Sequence, residues 1–220
     1  INAETVTIRL RNLQQNFEVF NQYPLWNMDS DLIDSSFNSM YSNLFAFFEA
    51  EDRNKALIFG TEKPQTGSPL PLKGSYRVTD NQYQVISEAI AAPDYYLIWG
   101  PPGTGKTSKV LYAITHELYA HHQQSILIVS FTNRAVDEIC SAVLSDSYLR
   151  ENALRIGSRY SCGSSYVDLL LSSQMKTITS RAALKEFLSS KRVVVSTVSS
   201  LMGKREIFDL IDFDVVIVDE

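Results

Sequence analysis

The chain has 220 residues, 45% of them hydrophobic, 11% aromatic and 20% charged, enough to bury a full core, which excludes a disordered tail and predicts one globular domain with room for an appendage. Its net charge of −5 argues against a uniformly basic nucleic-acid binder. No apolar run is long enough to span a membrane, and the start INAETVTIRL lacks the basic-then-apolar order of a signal peptide, so an intracellular, cytoplasmic protein is the expectation. The sequence leaves the oligomeric state open, with a monomer favoured. Ile1 is not an initiator methionine, as in numbering that begins inside a longer chain. Cys140 and Cys162 lie too far apart in sequence for a metal pair and read as buried or inert thiols, and with His116, His121 and His122 they suggest no zinc site.

Residues 4–60 read as helical. Ile33, Phe37, Met40, Tyr41, Leu44 and Phe48 recur at helical spacing behind a cap at Asp29 or Ser30, and Leu10, Leu13, Phe17 and Phe20 form a second stripe. Both stripes predict core packing. The following stretch TEKPQTGSPLPLKGSY (61–76) holds three of the seven prolines and two glycines, the composition of a linker. From 77 onward, apolar runs alternate with helical patterns: YYLIW at 95–99, SILIVS at 125–130, RVVVST at 192–197 and DVVIVD at 214–219. Short apolar runs separated by helices predict a parallel sheet covered by helices on both faces, hence an α/β domain. The predicted organisation is a helical segment at 1–60, a linker at 61–76 and an α/β domain at 77–220. Between Arg150 and Arg205 ten basic residues face three acids, a local balance of +7 that leaves −12 for the remainder. Such asymmetry fits either a solvated face or a polyanion-binding one.

Gly100, Gly105, Lys106 and Thr107 satisfy G-x-x-x-x-G-K-[ST] between the apolar run 95–99 and a helical pattern. Glycines let the backbone curl until successive N–H groups point inward at phosphate oxygens, aided by the positive end of the helix dipole. Pro101 and Pro102 have no N–H, so the cradle falls to Gly103, Thr104, Gly105, Lys106 and Thr107, with Ser108 next in line. Lys106 reaches for the β and γ phosphates and the Thr107 hydroxyl for Mg²⁺. The bland reading is a Gly/Pro turn that matches by accident. At the other end of the domain, four apolar residues precede Asp219-Glu220, which places two carboxylates at the C-terminal edge of a buried strand, where doubly wound sheets bind ligands. Asp219 then holds Mg²⁺ through its waters and Glu220 polarises the attacking water, unless the pair simply caps a following helix.

With these pieces placed, residues 78–220 resemble a superfamily 1 helicase of the branch that includes the nonsense-mediated-decay RNA helicase and the nuclease-helicase of Okazaki-fragment processing. The resemblance rests on TDNQ (79–82), GPPGTGKT (100–107), SFTNRAVDEI (130–139), RIG (155–157) with VVVSTVSSL (193–201), and VIVDE (216–220). GPPGTGKT also occurs in ring-forming AAA+ ATPases, and SFTNRAVDEI is the discriminating piece. The resemblance implies a first RecA-like domain of P-loop NTPase type over 77–220, a stalk-like helical segment before it, ATP and Mg²⁺ as ligands, and single-stranded DNA or RNA as partner.

It also implies individual roles. Gln82 matches the adenine-sensing glutamine of the family, and a carboxamide can donate to and accept from adenine at once. Thr79-x-x-Gln82 is equally a helix capping box. Thr132 and Asn133 match phosphate ligands on the nucleic-acid strand, Phe131 offers a stacking surface, and Thr197 matches a later strand-contact motif. On residues alone, Thr132 and Asn133 read as well as an ordinary helix N-cap. The arginines that complete the ATP site come, in the family, from a second RecA-like domain. An AAA+ remodelling ATPase and a nucleotide-gated binding module without turnover are the alternatives.

Overall fold

The computed structural model describes residues 18–22, 25, 37–178, 180–202 and 204–219, which fall in two compact units, Ile1–Glu49 and Ala50–Glu220. In the first unit the expected helical region appears as a short turn at Glu18–Asn21 and helix α1 (Phe37–Glu49). The stripe on α1 is present but does not form the expected core. Met40, Tyr41, Leu44, Phe45 and Phe48 are exposed, and Phe48 meets Phe47 with ring centroids 6.5 Å apart. Helical periodicity measures a face's demand for burial, whereas burial itself needs a second element laid against that face. Leu10, Leu13, Phe17, Ile33 and the caps at Asp29 and Ser30 lie outside the described residues.

The second unit begins with α2 (Asp52–Phe59), closed by Gly60 in the left-handed region at φ 69°. Segment 61–76 has no helix or strand, in keeping with its prolines, yet it is fastened along its length. Gln65 N–H donates to Asp94 at 2.8 Å, Ser87 Oγ donates to the Leu70 carbonyl at 2.6 Å, and the Lys73 and Gly74 N–H groups donate to the Glu117 carboxylate at 2.6 and 3.1 Å. Next come α3 (Asp80–Ala91), a π-helical stretch at Lys106–Leu111 that runs into α4 (Tyr112–His121), β1 (Ile126–Ser130), α5 (Asn133–Val143) and α6 (Ser147–Glu151). Strand β2 (Ala153–Ile156), α7 (Leu171–Gln174), α8 (Arg181–Ser190), β3 (Val193–Thr197), α9 (Val198–Met202) and β4 (Val215–Asp219) complete the unit.

The four strands are parallel and ordered β2-β3-β1-β4. Because successive side chains in a strand point to opposite faces, β1, β2 and β3 each feed two cores. Ile126, Ile128, Val193 and Val195 join residues of α3, α4 and α5 on one face, while Leu127, Val129, Leu154 and Val194 pack with Leu188 of α8 and Leu201 of α9 on the other. This is the expected α/β sheet with helices on both faces. Ser130 lies opposite both Thr197 and Asp219, and Ile156 opposite Ser196, so the C-terminal ends of the strands are level. Every loop leaving those ends emerges along one edge.

One predicted strand is corrected. The run 95–99 pairs with none of the described strands, and Leu97 and Trp99 are 82% and 93% exposed. An apolar run specifies hydrophobicity, but a strand also requires a neighbour to take its backbone hydrogen bonds. On β4, an edge among the described strands, Val216 and Val218 are exposed while Val215 and Ile217 pack on the first core. No described helix is long and apolar enough to cross a membrane.

Candidate nucleotide site and strand-exit edge

The loop 100–107 has the backbone that its glycines permit. Gly103 and Gly105 sit at φ 84° and 78°, a region that L side chains rarely adopt. Thr104 pins the curl by donating its hydroxyl to the Pro101 carbonyl at 2.8 Å. Beyond Gly105, the N–H groups of Lys109 and Val110 both donate to its carbonyl at 2.9 and 3.1 Å, so the helix starts with the wider π spacing that recurs at functional sites. The Lys106 ammonium turns back on the loop and donates to the Gly100 carbonyl.

Thr107 and Asp219 come together from positions 112 residues apart in the chain. The Thr107 hydroxyl donates to Asp219 Oδ2 at 3.2 Å. A hydroxyl beside a carboxylate at the end of β4 is an all-oxygen donor pair, the chemistry that Mg²⁺ selects. Glu220 lies outside the described residues.

Gln82 uses both ends of its carboxamide. Its Oε1 accepts from the Thr79 N–H at 2.9 Å, and Thr79 Oγ1 accepts from the Gln82 N–H at 3.3 Å, so the capping box is formed. Its Nε2 meanwhile donates to the Thr104 carbonyl at 2.9 Å, which ties the start of α3 to the phosphate loop. A Cβ added at Gly105 would stand 3.2 Å from that same Nε2.

An open cleft of about 670 Å³ runs along the loop past Gly103, Gly105, Lys106, Thr107 and Ser108, with Glu138, Ser141, Ala142 and Ser145 of and just beyond α5 as its far wall. Sequence reasoning missed that wall. Its signal was present: Glu138, Ser141 and Ser145 recur along one side of a helix whose other side buries Val136, Ile139, Cys140 and Val143.

On the strand-exit edge, Phe131 follows β1 and is 76% exposed. Thr132 caps α5 through its hydroxyl, which accepts from the Ala135 N–H at 3.1 Å, and Asn133 is the first residue of that helix. Thr197 ends β3 and is buried. Its hydroxyl accepts from the Ser200 N–H at 3.2 Å and donates to the Ser200 hydroxyl at 2.8 Å. The structure thus brings Phe131, Thr132, Asn133 and Thr197 to one edge, with the two threonine hydroxyls engaged in capping.

Behind this edge, Arg155 of β2 is only 1% exposed and forms an ion pair with Asp137 of α5. Asp137 also accepts from the Gly163 N–H at 3.3 Å, so it holds both the guanidinium and the loop that follows β2.

The parallel sheet, the glycine loop opening a helix and the Thr107–Asp219 pair define an α/β protein of the P-loop class. Residues 77–179 match a family model described as an AAA domain. The chain is 30% identical to the DNA replication ATP-dependent helicase/nuclease JHS1 of Arabidopsis thaliana, over 97% of this chain and 16% of that protein. It is 28% identical to the DNA replication ATP-dependent helicase/nuclease DNA2 of Homo sapiens, over 100% of this chain and 21% of that one. To the uncharacterized ATP-dependent helicase MJ0104 of Methanocaldococcus jannaschii it is 28% identical, over 56% of this chain and 19% of the relative. The chain spans between 16% and 21% of the length of these curated relatives. Within that span its sequence is of the superfamily 1 helicase type, of the branch that its motifs resemble.

Proposed function

We propose that this chain binds Mg-ATP and single-stranded nucleic acid as part of an ATP-dependent helicase or translocase. The observation that carries the reading is the meeting of Thr107 and Asp219 beside a glycine loop in left-handed backbone. In this reading the N–H groups from Gly103 to Ser108 hold phosphate oxygens, and Lys106 exchanges its contact with the Gly100 carbonyl for the β and γ phosphates. The Thr107 hydroxyl and Asp219 would hold Mg²⁺, which would supply positive charge against that of the phosphates. Glu220 polarises the attacking water, and Gln82 reads the adenine edge. Thr132 and Asn133, with Thr197 beside them, take backbone phosphates of the strand, and Phe131 stacks on a base. The relatives, which are named as helicases, favour this reading over an AAA+ remodelling ATPase.

Calorimetry with Mg-ATP and Mg-GTP tests the nucleotide assignment. ATP is expected to bind more tightly. Lys106→Ala should weaken both nucleotides alike, whereas Gln82→Ala should chiefly erase the preference. Equal affinities for ATP and GTP in the unmodified chain would sink the role given to Gln82.

A further inference from the structure

We propose that Tyr160 is a base-stacking residue, and that the loop after β2 extends the strand-binding edge beyond β1 and β3. The inference rests on the reading of that edge as a single-stranded nucleic-acid interface. It adds a residue that no motif assigned.

Tyr160 is 99% exposed. Other tyrosines of the second unit spend their rings or hydroxyls on the fold: Tyr76 bonds to Glu117 at 2.6 Å, Tyr112 bonds to Asp146 at 3.1 Å, Tyr119 and Tyr148 stack edge-on at 5.1 Å, and Tyr166 lies under Arg150 at 5.9 Å. Among the described residues Tyr160 has no such ring, cation or hydroxyl partner. Its backbone, by contrast, is fixed. The Tyr160 N–H donates to Ser158 Oγ at 3.3 Å, the Ser161 N–H donates to the Ser158 carbonyl at 3.2 Å, and the Gly163 N–H reaches Asp137, which is itself paired with buried Arg155. A Cβ added at Gly163 would stand 3.1 Å from Asp137 Oδ2, tighter than an ordinary contact, so a side chain there would press on the carboxylate that anchors the loop. The turn is therefore held at both ends while its ring stays in water, an arrangement that lowers the ordering cost of a contact with a ligand.

The position selects the ligand. The ends of β2, β3 and β1 are level, and β2 lies two strands from β1, so the exits that carry Tyr160 and Phe131 are separated by roughly 10 Å at the usual strand spacing. Exposed Arg159 is adjacent, inside the stretch 150–205 with its local balance of +7. Successive aromatic platforms beside basic side chains suit a single strand, whose bases stack while its phosphates meet cations. Arg159 in this scheme takes a phosphate.

The test is binding of a fluorescent oligothymidylate, and of the same backbone with abasic sites, to the 220-residue chain. Tyr160→Ala is expected to weaken the oligothymidylate by roughly 5- to 150-fold, the range that one stacked base supplies, while Tyr160→Phe retains binding. On the abasic strand, wild type and Tyr160→Ala should bind alike. Unchanged oligothymidylate binding by Tyr160→Ala would overturn the proposal and leave the rest of the edge standing. An equal loss on both strands would overturn stacking in favour of a backbone effect. If the unmodified chain bound neither strand, the nucleic-acid reading itself would fall.

Discussion

Arg155 occupies a sheet position normally filled by an apolar side chain. Its guanidinium pairs with Asp137, lies 4.0 Å from Cys140 Sγ and keeps one nitrogen, Nη2, without a hydrogen-bond partner. A buried charge tolerates this only while its counter-ion remains. Asp137→Ala should therefore cost about 3–5 kcal/mol of stability and also release the Gly163 N–H, whereas Arg155→Met, of similar shape without the charge, should cost less. Urea denaturation of the two variants measures the difference, and equal losses would show that the pair is not the source. The same surroundings fit the sequence reading of Cys140 as inert, because burial pushes its thiol up to about 12. At this scale the sequence was legible where one residue does one local thing. Thr79 and Thr132 cap helices as their spacing suggests, and the capping box at Gln82 was readable in the same way, whereas the cap made by Thr197 was not foreseen. The bond from Gln82 to Thr104 was not, because it joins a helix start to a loop 22 residues away whose approach only tertiary packing sets.

Segment 61–76 shows how an element without regular structure can still be ordered. Glu117, fully buried on α4, accepts from the Lys73 and Gly74 N–H groups and from the Tyr76 hydroxyl, and Tyr76 also meets His116 Nδ1 at 2.9 Å. Burial pushes the Glu117 carboxyl upward, but the hydrogen bonds from Tyr76, Lys73 and Gly74 outweigh it and leave the group below its ordinary value of 4.5. A carboxyl held lower in the folded state contributes stability above its unfolded value and loses that contribution as pH falls through the folded one. The wild-type chain is thus expected to lose urea resistance below about pH 4.5. Glu117→Gln should be less stable at neutral pH yet flatter across that acid window, and parallel curves would exclude Glu117 as the cause. Composition revealed that 61–76 has no helix or strand but not its attachment, since the acceptor lies some 40 residues further along the chain. Strands β1, β3 and β4 were legible as apolar runs. Strand β2, ALRI, is masked by Arg155, and the run 95–99 has a strand's apolar content without a pairing partner, which composition does not specify.

At the scale of the whole molecule, overall charge conceals the arrangement: a chain of −5 carries a stretch of +7. Turnover belongs to this scale as well. Hydrolysis needs positive charge at the transferring phosphoryl, and arginines supplied for that purpose are worth about 10³–10⁵ in rate. The resemblance assigns them to a second RecA-like domain. The 220-residue chain is expected to bind ATP but hydrolyse it near background, with or without a single strand, while a longer chain with both domains shows stimulated hydrolysis that Glu220→Gln abolishes. Strand-stimulated phosphate release by the 220 residues alone would instead point to self-assembly, with a neighbouring copy supplying the charge. The sheet itself has a further, colloidal consequence. Strand β4 is an edge among the described strands, and Val216 and Val218 are exposed on it. An edge of that kind is a template for strands of other molecules. Repulsion between chains of like net charge opposes such pairing, and dissolved salt weakens that repulsion. Rising ionic strength is therefore expected to favour association along the outer strand, while it would loosen a polyanion bound at the strand ends as proposed above.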